Sequence, residues 1–385
     1  MSRSWDVFCR VIDNFGDAAV CWRLSRQLTA EHGARVRLWI DALDALHMLC
    51  PQVVLDRPSQ VVAGVEIHHW TPQVDFGRPA DVCVEAFGGG LPDAYPEAMA
   101  QRHPASLWLI LEYLSAEPWV VSHHGLPSPH PRLPLQRFFF FPGVLPGSGG
   151  VLKEAALVLN RNTFQGDPAR SAVFWRDLGF RPPDEAGTVV SLFGYENAAV
   201  AELLQTWSDG PRRVVAAVPQ SLLRPQVSAF FGATDPGDGA SLERGFLEVR
   251  FMPFLPQTRY DELLWACDWN FVRGEDSFVR AQWAGRPLAW HIYPQQEHAH
   301  WAKLDAFMQV YCAGLEAGQA LALRGLWEFW NDAGQSGAGQ IQAVWRALEG
   351  SREDLRRHAM AWSGRLDLAG DLAANLAQFS EERLK

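Results

Sequence analysis

The chain has 385 residues, with 34 Lys and Arg against 44 Asp and Glu for a formal net charge of -10, and it is 48% hydrophobic and 20% charged. That balance is ordinary for a soluble globular chain and excludes a disordered tail, a coiled coil and a collagen-like repeat. At roughly 150 residues per domain it predicts two domains, and its negative sign gives no whole-molecule attraction for nucleic acid or an anionic membrane.

Short β-rich runs alternate with helix-like segments, the pattern of a parallel α/β sheet. Residues 5–12 are the first predicted strand, followed by a polar loop and a helix over 18–31. A strand over 35–40 and a helix over 41–50 come next, then strands over 61–68, 82–86 and 106–112. The Phe138–Phe141 run before Pro142 reads as a buried strand. Residues 142–150 are rich in Pro and Gly and 160–170 are polar, so a domain boundary begins in one of these stretches. Alternation restarts at Thr188, with strands over 189–193, 213–218, 246–251, 269–273 and 287–291, and 351–385 is helical.

The expected organisation is a Rossmann-like domain over 1–155 completed by helices from 351–385, a linker over 156–184 and a second Rossmann-like domain over 185–350. The first residues lead straight into an apolar strand, unlike a signal peptide, and no apolar run reaches the roughly 18 residues of a membrane span. A cytoplasmic protein is expected, with no membrane partner. Cysteines at 9, 21, 50, 83, 267 and 312 lack CxxC spacing, which predicts reduced core thiols and no zinc site.

Ligands of α/β sheets bind beyond the carboxyl ends of the strands, so the first strand-to-helix loop carries information. A dinucleotide-binding loop is glycine-rich there. This one reads Ile12-Asp13-Asn14-Phe15-Gly16-Asp17, with one glycine and two carboxylates. Two negative charges repel a diphosphate and suit a cation or a group that must lose a proton. The plainer alternative makes Asp17 the N-cap of the helix and Asp13 or Asn14 a turn former. Gly88-Gly89-Gly90 reads as a turn that admits a close backbone approach.

The second half carries Arg273-Gly274-Glu275-Asp276-Ser277 at a strand end. Ser277 is placed to cap the next helix, whose free N–H groups with Arg273 would seat a diphosphate. Glu275 and Asp276 would accept from sugar hydroxyls. The alternative is a solvated loop with a routine cap. Phe254 is a candidate to stack on a base and Gln257 to read its edge, and Phe193 and Tyr195 close another strand. Three such strand ends on one sheet edge favour a nucleotide pocket.

Together, Val-Ile-Asp-Asn-Phe-Gly-Asp at 11–17 and Arg-Gly-Glu-Asp-Ser at 273–277 resemble the family of protein-arginine rhamnosyltransferases that modify bacterial elongation factor P, along the whole chain. The resemblance implies the GT-B glycosyltransferase fold, two facing Rossmann-like domains with a C-terminal helix packing back on the first. It implies transfer of L-rhamnose from dTDP-β-L-rhamnose to one arginine of elongation factor P, with inversion and with no metal or other cofactor. Asp13, Asp17 and Glu275 match the family's catalytic residues, with Asp17 as general base, Asp13 holding the guanidinium and Glu275 near the sugar and diphosphate. Phe193, Tyr195, Phe254, Gln257, Arg273, Asp276, Ser277 and Tyr293 match the donor pocket, and Asn14, Phe15 and Gly16 are expected to contact substrate. The chemistry is consistent, because a guanidinium with a pKa above about 12 is a poor nucleophile that carboxylates must orient and deprotonate. Alternatives are another nucleotide-sugar transferase or epimerase of this architecture, and a non-catalytic nucleotide-sugar-binding regulator.

Overall fold

Strands form where β-branched and aromatic residues cluster. In the first part of the chain these are β1 (Ser4–Cys9), β2 (Arg35–Ile40), β3 (Ser59–Val62), β4 (Val65–His69), β5 (Val82–Ala86), β6 (Leu107–Leu111), β7 (Pro127–Pro129) and β8 (Gln136–Phe140). The second part carries β9 (Thr188–Leu192), β10 (Val214–Val218), β11 (Ser241–Arg244), β12 (Leu247–Phe251), β13 (Trp269–Arg273) and β14 (Leu288–His291). The computed structural model describes residues 3–13, 15–184, 186–294, 300–331 and 340–384.

The chain divides into two units, Met1–Ala155 with Arg365–Lys385, and Ala156–Gly364. The first unit's sheet has the order β3-β4-β2-β1-β5-β6-β8-β7, and the second unit's has β11-β12-β10-β9-β13-β14. The inner pairs are parallel and buried on both faces, which is why their strands are near-continuous apolar runs. Among the described residues, antiparallel partners occur only at the edges, where β3, β7 and β11 turn back on their neighbours. The single strand expected over 61–68 is instead a hairpin. Ala63 and Gly64 have φ of +51° and +81° and reverse the chain between β3 and β4.

In the first unit, Phe8 of β1 stacks on Trp39 of β2 at 5.9 Å and meets Tyr95 edge-on at 4.7 Å. In the second, Phe278 stacks on Trp290 at 3.9 Å, and Phe307 stacks on Trp327 at 5.4 Å. Helix Leu372–Arg383 packs on helix Gly16–His32 of the first unit. It is tied there by Asp371, whose carboxylate accepts from Lys153 N and Gln27 Nε2, both at 3.0 Å.

Two boundaries differ from the sequence reading. Residues 156–184 are not a linker but carry helices Leu157–Gln165 and Pro168–Asp177, which belong to the second unit. Phe164 packs on Trp265, and Arg161 donates to the Trp283 carbonyl at 2.8 Å. Residues 351–364 also belong to the second unit, because Trp362 packs on Tyr311 and donates to Gln282 at 2.9 Å. Only the last segment, from Arg365, completes the first unit.

Candidate active site

Among the parallel strands of each sheet the order reverses direction at one place, and the loops leaving the two strands there diverge. In the first unit that place lies between β1 and β5, and in the second between β9 and β13. Such switch points are where α/β sheets bind ligands. The two motifs singled out in the sequence follow β1 and β13.

The loop after β1 is organised by its own carboxylates. Asp17 is 2% exposed, and its Oδ2 accepts from the backbone N–H groups of Ile12 at 2.7 Å and Asp13 at 2.9 Å. It is therefore not the N-cap. Phe15 holds that position, and Asp17 reaches back across the loop from the first helical turn. The Asp13 carbonyl accepts from Gly16 N at 2.6 Å, closing a turn. A Cβ at Gly16 would lie 2.8 Å from Asp13 Oδ2, so only glycine lets that half-buried carboxylate rest there. Asn14 lies outside the described residues.

A further carboxylate supports the loop. Asp41, immediately after β2, accepts from Val11 N at 2.9 Å. The buried Cys9 thiol is pushed well up by its contact with Cys21, by burial and by the Asp17 and Asp41 carboxylates. The strand end thus gathers negative charge from Asp13, Asp17 and Asp41, an environment that favours a cation.

The second unit's switch point is built differently. Gly274, with φ of +59°, turns the chain sharply between β13 and helix Asp276–Trp283. Buried Arg273 has its guanidinium carbon 4.8 Å from the Phe193 ring centre and 4.6 Å from that of Tyr195. Tyr195 in turn meets His291 at 5.2 Å and Tyr293 at 5.5 Å, both edge-on. Burial, reinforced by Arg273 and His300, pushes the His291 pKa down to about 3, so the ring is neutral. Gln257 Nε2 donates to Asp276 Oδ2 at 3.4 Å, and both residues are buried. Glu275 is half-buried at the N-cap position of the helix, and Phe254 is half-buried in the loop after β12.

Ser277 departs from the expected role. Its hydroxyl donates to the Arg273 carbonyl and accepts from Arg273 N at 3.2 Å, so it ties helix to strand and caps nothing. The helix begins two residues earlier than that role requires, with Glu275 and not Ser277 at the N-cap position. The structure thus joins Phe193, Tyr195, Arg273 and Tyr293 in one group and Gln257 with Asp276 in another.

Asp41, His291 and Tyr260, which packs on Phe193 at 5.5 Å, were not foreseen. His291 sits in register with Arg273 across β13 and β14, and its place at the end of an apolar run was the available signal. None of the predicted residues lines the open groove of about 550 Å³ bounded by Gln220, Arg224, Asp235 and Asp238. Among the described residues no group of three or more His, Cys, Asp or Glu is placed to hold a metal ion, and no helix is long and apolar enough to cross a membrane.

The family model described as elongation factor P (EF-P) rhamnosyltransferase EarP matches residues 5–381. A protein-arginine rhamnosyltransferase of Pseudomonas aeruginosa is 44% identical over 98% of both chains. One from Neisseria meningitidis is 32% identical over 98% of this chain and 97% of its own. A solved structure described as the structural basis for EarP-mediated arginine glycosylation of translation elongation factor EF-P is 31% identical, covers 99% of both chains and superposes with a TM-score of 0.70. MurG of Acinetobacter baumannii, at 11% identity, a TM-score of 0.52 and coverage of 99% of this chain and 100% of its own, shares the fold alone.

Proposed function

The chain belongs to the elongation factor P rhamnosyltransferase family, and from that membership we propose how this protein-arginine rhamnosyltransferase works. It transfers L-rhamnose from dTDP-β-L-rhamnose to one arginine of elongation factor P in the cytoplasm, with inversion and without a metal. The observation that carries this reading is the loop after β1, where Asp17 fixes the backbone that presents Asp13.

A guanidinium, with its pKa above about 12 and its delocalised lone pairs, attacks only when it is held and deprotonated. Asp13 holds it. Asp17, whose Oδ2 is engaged by the loop, offers Oδ1 as base. As the bond from nitrogen to the anomeric carbon forms, the anomeric C–O bond breaks and its electron pair leaves with dTDP. One guanidinium proton passes to Asp17. Attack from the face opposite the leaving group inverts the centre.

Donor binding falls to the second unit. Arg273, held over Phe193 and Tyr195, balances the diphosphate charge. Phe254 stacks on the base, Gln257, Asp276 and Tyr293 complete the pocket, and Ser277 supports it by fixing Arg273. Glu275, at the start of the helix, acts near the sugar and diphosphate.

The test is incubation of the protein with elongation factor P and dTDP-β-L-rhamnose, followed by intact mass and peptide fragmentation. A gain of one deoxyhexose on a single arginine is expected, α-configured by NMR and insensitive to a chelator. No gain, or a gain on another residue type, would overturn the reading. Loss of activity with chelator would overturn its metal-free part.

A further inference from the structure

We propose that Tyr113, backed by Phe87, is the platform on which the acceptor arginine lays its guanidinium. This deepens the reading of the chain as transferring to an arginine and rests on it.

Phe87 directly follows β5, across the first unit's switch point from the Asp13–Asp17 loop. Its φ is +57°, a left-handed conformation that a bulky aromatic residue adopts only where its surroundings impose it. Those surroundings are visible. Phe87 N donates to the Leu111 carbonyl at 2.7 Å, extending the pairing of β5 with β6. Gly88 and Gly90, with φ of +65° and +75°, continue the bend. Gly89 lies so close to the loop after β1 that a Cβ there would be 2.9 Å from Arg10 Cβ and 3.3 Å from the Ala86 carbonyl oxygen.

The product of this strained turn is one aromatic stack. The ring centres of Phe87 and Tyr113 are 4.6 Å apart and 18° from parallel. Phe87 is 4% exposed, whereas Tyr113, just beyond β6, is only half-buried. A buried ring thus stiffens one that meets solvent. Backbone strain of this kind clusters at ligand-recognition sites, and here it sets such a ring at a strand end.

Strand order supplies the rest. β1, β5 and β6 are consecutive neighbours, so the ends that carry the carboxylates and Tyr113 are separated by two strand spacings, about 10 Å. The long side chain of an arginine and the carboxylates of the loop bridge that gap from its two sides. A flat, weakly hydrated guanidinium stacks on an aromatic face, whereas a compact ammonium gains less. The platform therefore selects arginine while Asp13 and Asp17 perform the chemistry.

Steady-state kinetics with elongation factor P and dTDP-β-L-rhamnose test this. Tyr113→Ala is expected to raise the acceptor KM about fivefold to thirtyfold, with donor affinity by calorimetry unchanged. Tyr113→Phe is expected to behave like the unaltered protein. Tyr113→Leu, which keeps apolar bulk against Phe87 but has no aromatic face, carries the same expectation as Ala if that variant folds poorly. An unchanged acceptor KM in the Ala and Leu variants overturns the platform, as does an equal defect in Tyr113→Phe or a parallel loss of donor affinity. Failure of the unaltered protein to modify an arginine is a separate outcome, and it overturns the functional reading itself.

Discussion

The backbone N–H of Asp13 donates to Oδ2 of Asp17 at 2.9 Å, so one carboxylate of the loop after β1 holds the other by its main chain. Asp17→Ala leaves the Ile12 and Asp13 N–H groups without that acceptor and also removes the carboxylate proposed as base. Asp17→Asn keeps an acceptor oxygen yet takes no proton. Both variants are expected to lose roughly a hundredfold or more in turnover, with donor affinity intact by calorimetry. Full turnover by Asp17→Asn would sink its role as base.

Arg273 combines a charge with a flat face set over two rings. Lysine keeps the charge but neither the face nor the fork. Arg273→Lys is expected to weaken dTDP-rhamnose binding by about tenfold, read by calorimetry, with the acceptor KM unchanged. Undiminished affinity would show that the point charge suffices.

Gly150 joins the two chain segments of the first unit. Its φ is +77°, and a Cβ there would lie 2.3 Å from the Gly370 carbonyl oxygen. Backbone meets backbone, so neither side yields cheaply. Gly150→Ala is expected to cost about 2–5 kcal/mol, seen as a lower urea midpoint. A midpoint at the original value would contradict the close approach.

His291 makes stability depend on pH in a direction fixed by its shift. The folded ring stays neutral down to about pH 3, whereas the unfolded chain protonates near 6.5. Below pH 6.5 the unfolded state gains the proton first, so stability falls with pH through that window. Between pH 7 and 5 this contributes a loss on the order of 1–2 kcal/mol. His291→Gln should lack that part of the acid sensitivity in urea titrations at the two pH values. An identical pH dependence in both proteins would rule out His291 as the source.

Local chemistry explains what was legible from sequence. Inner strands such as Leu107–Leu111 are buried on both faces and announce themselves as apolar runs. The edge strands Pro127–Pro129 and Ser241–Arg244 are short and polar or proline-bounded, so they carry no such mark. Asp13 and Asp17 stood out because carboxylates replaced expected glycines within one loop. Asp41, His291 and Phe87 did not, since each matters through a neighbour brought by strand order. Ser277 was misread because a serine near a helix start resembles a cap, and two residues of offset turned it towards Arg273 instead.

The first unit is assembled from the two ends of a chain interrupted by Ala156–Gly364. A ribosome therefore delivers the strand carrying Asp13 and Asp17 long before helix Leu372–Arg383, which covers helix Gly16–His32. The second unit is contiguous and can finish folding first. The first unit must wait, with one flank bare, until Arg365–Lys385 has been made. Nascent chains halted just after Gly364 would accordingly present a folded second unit and a first unit still open to proteases and chaperones.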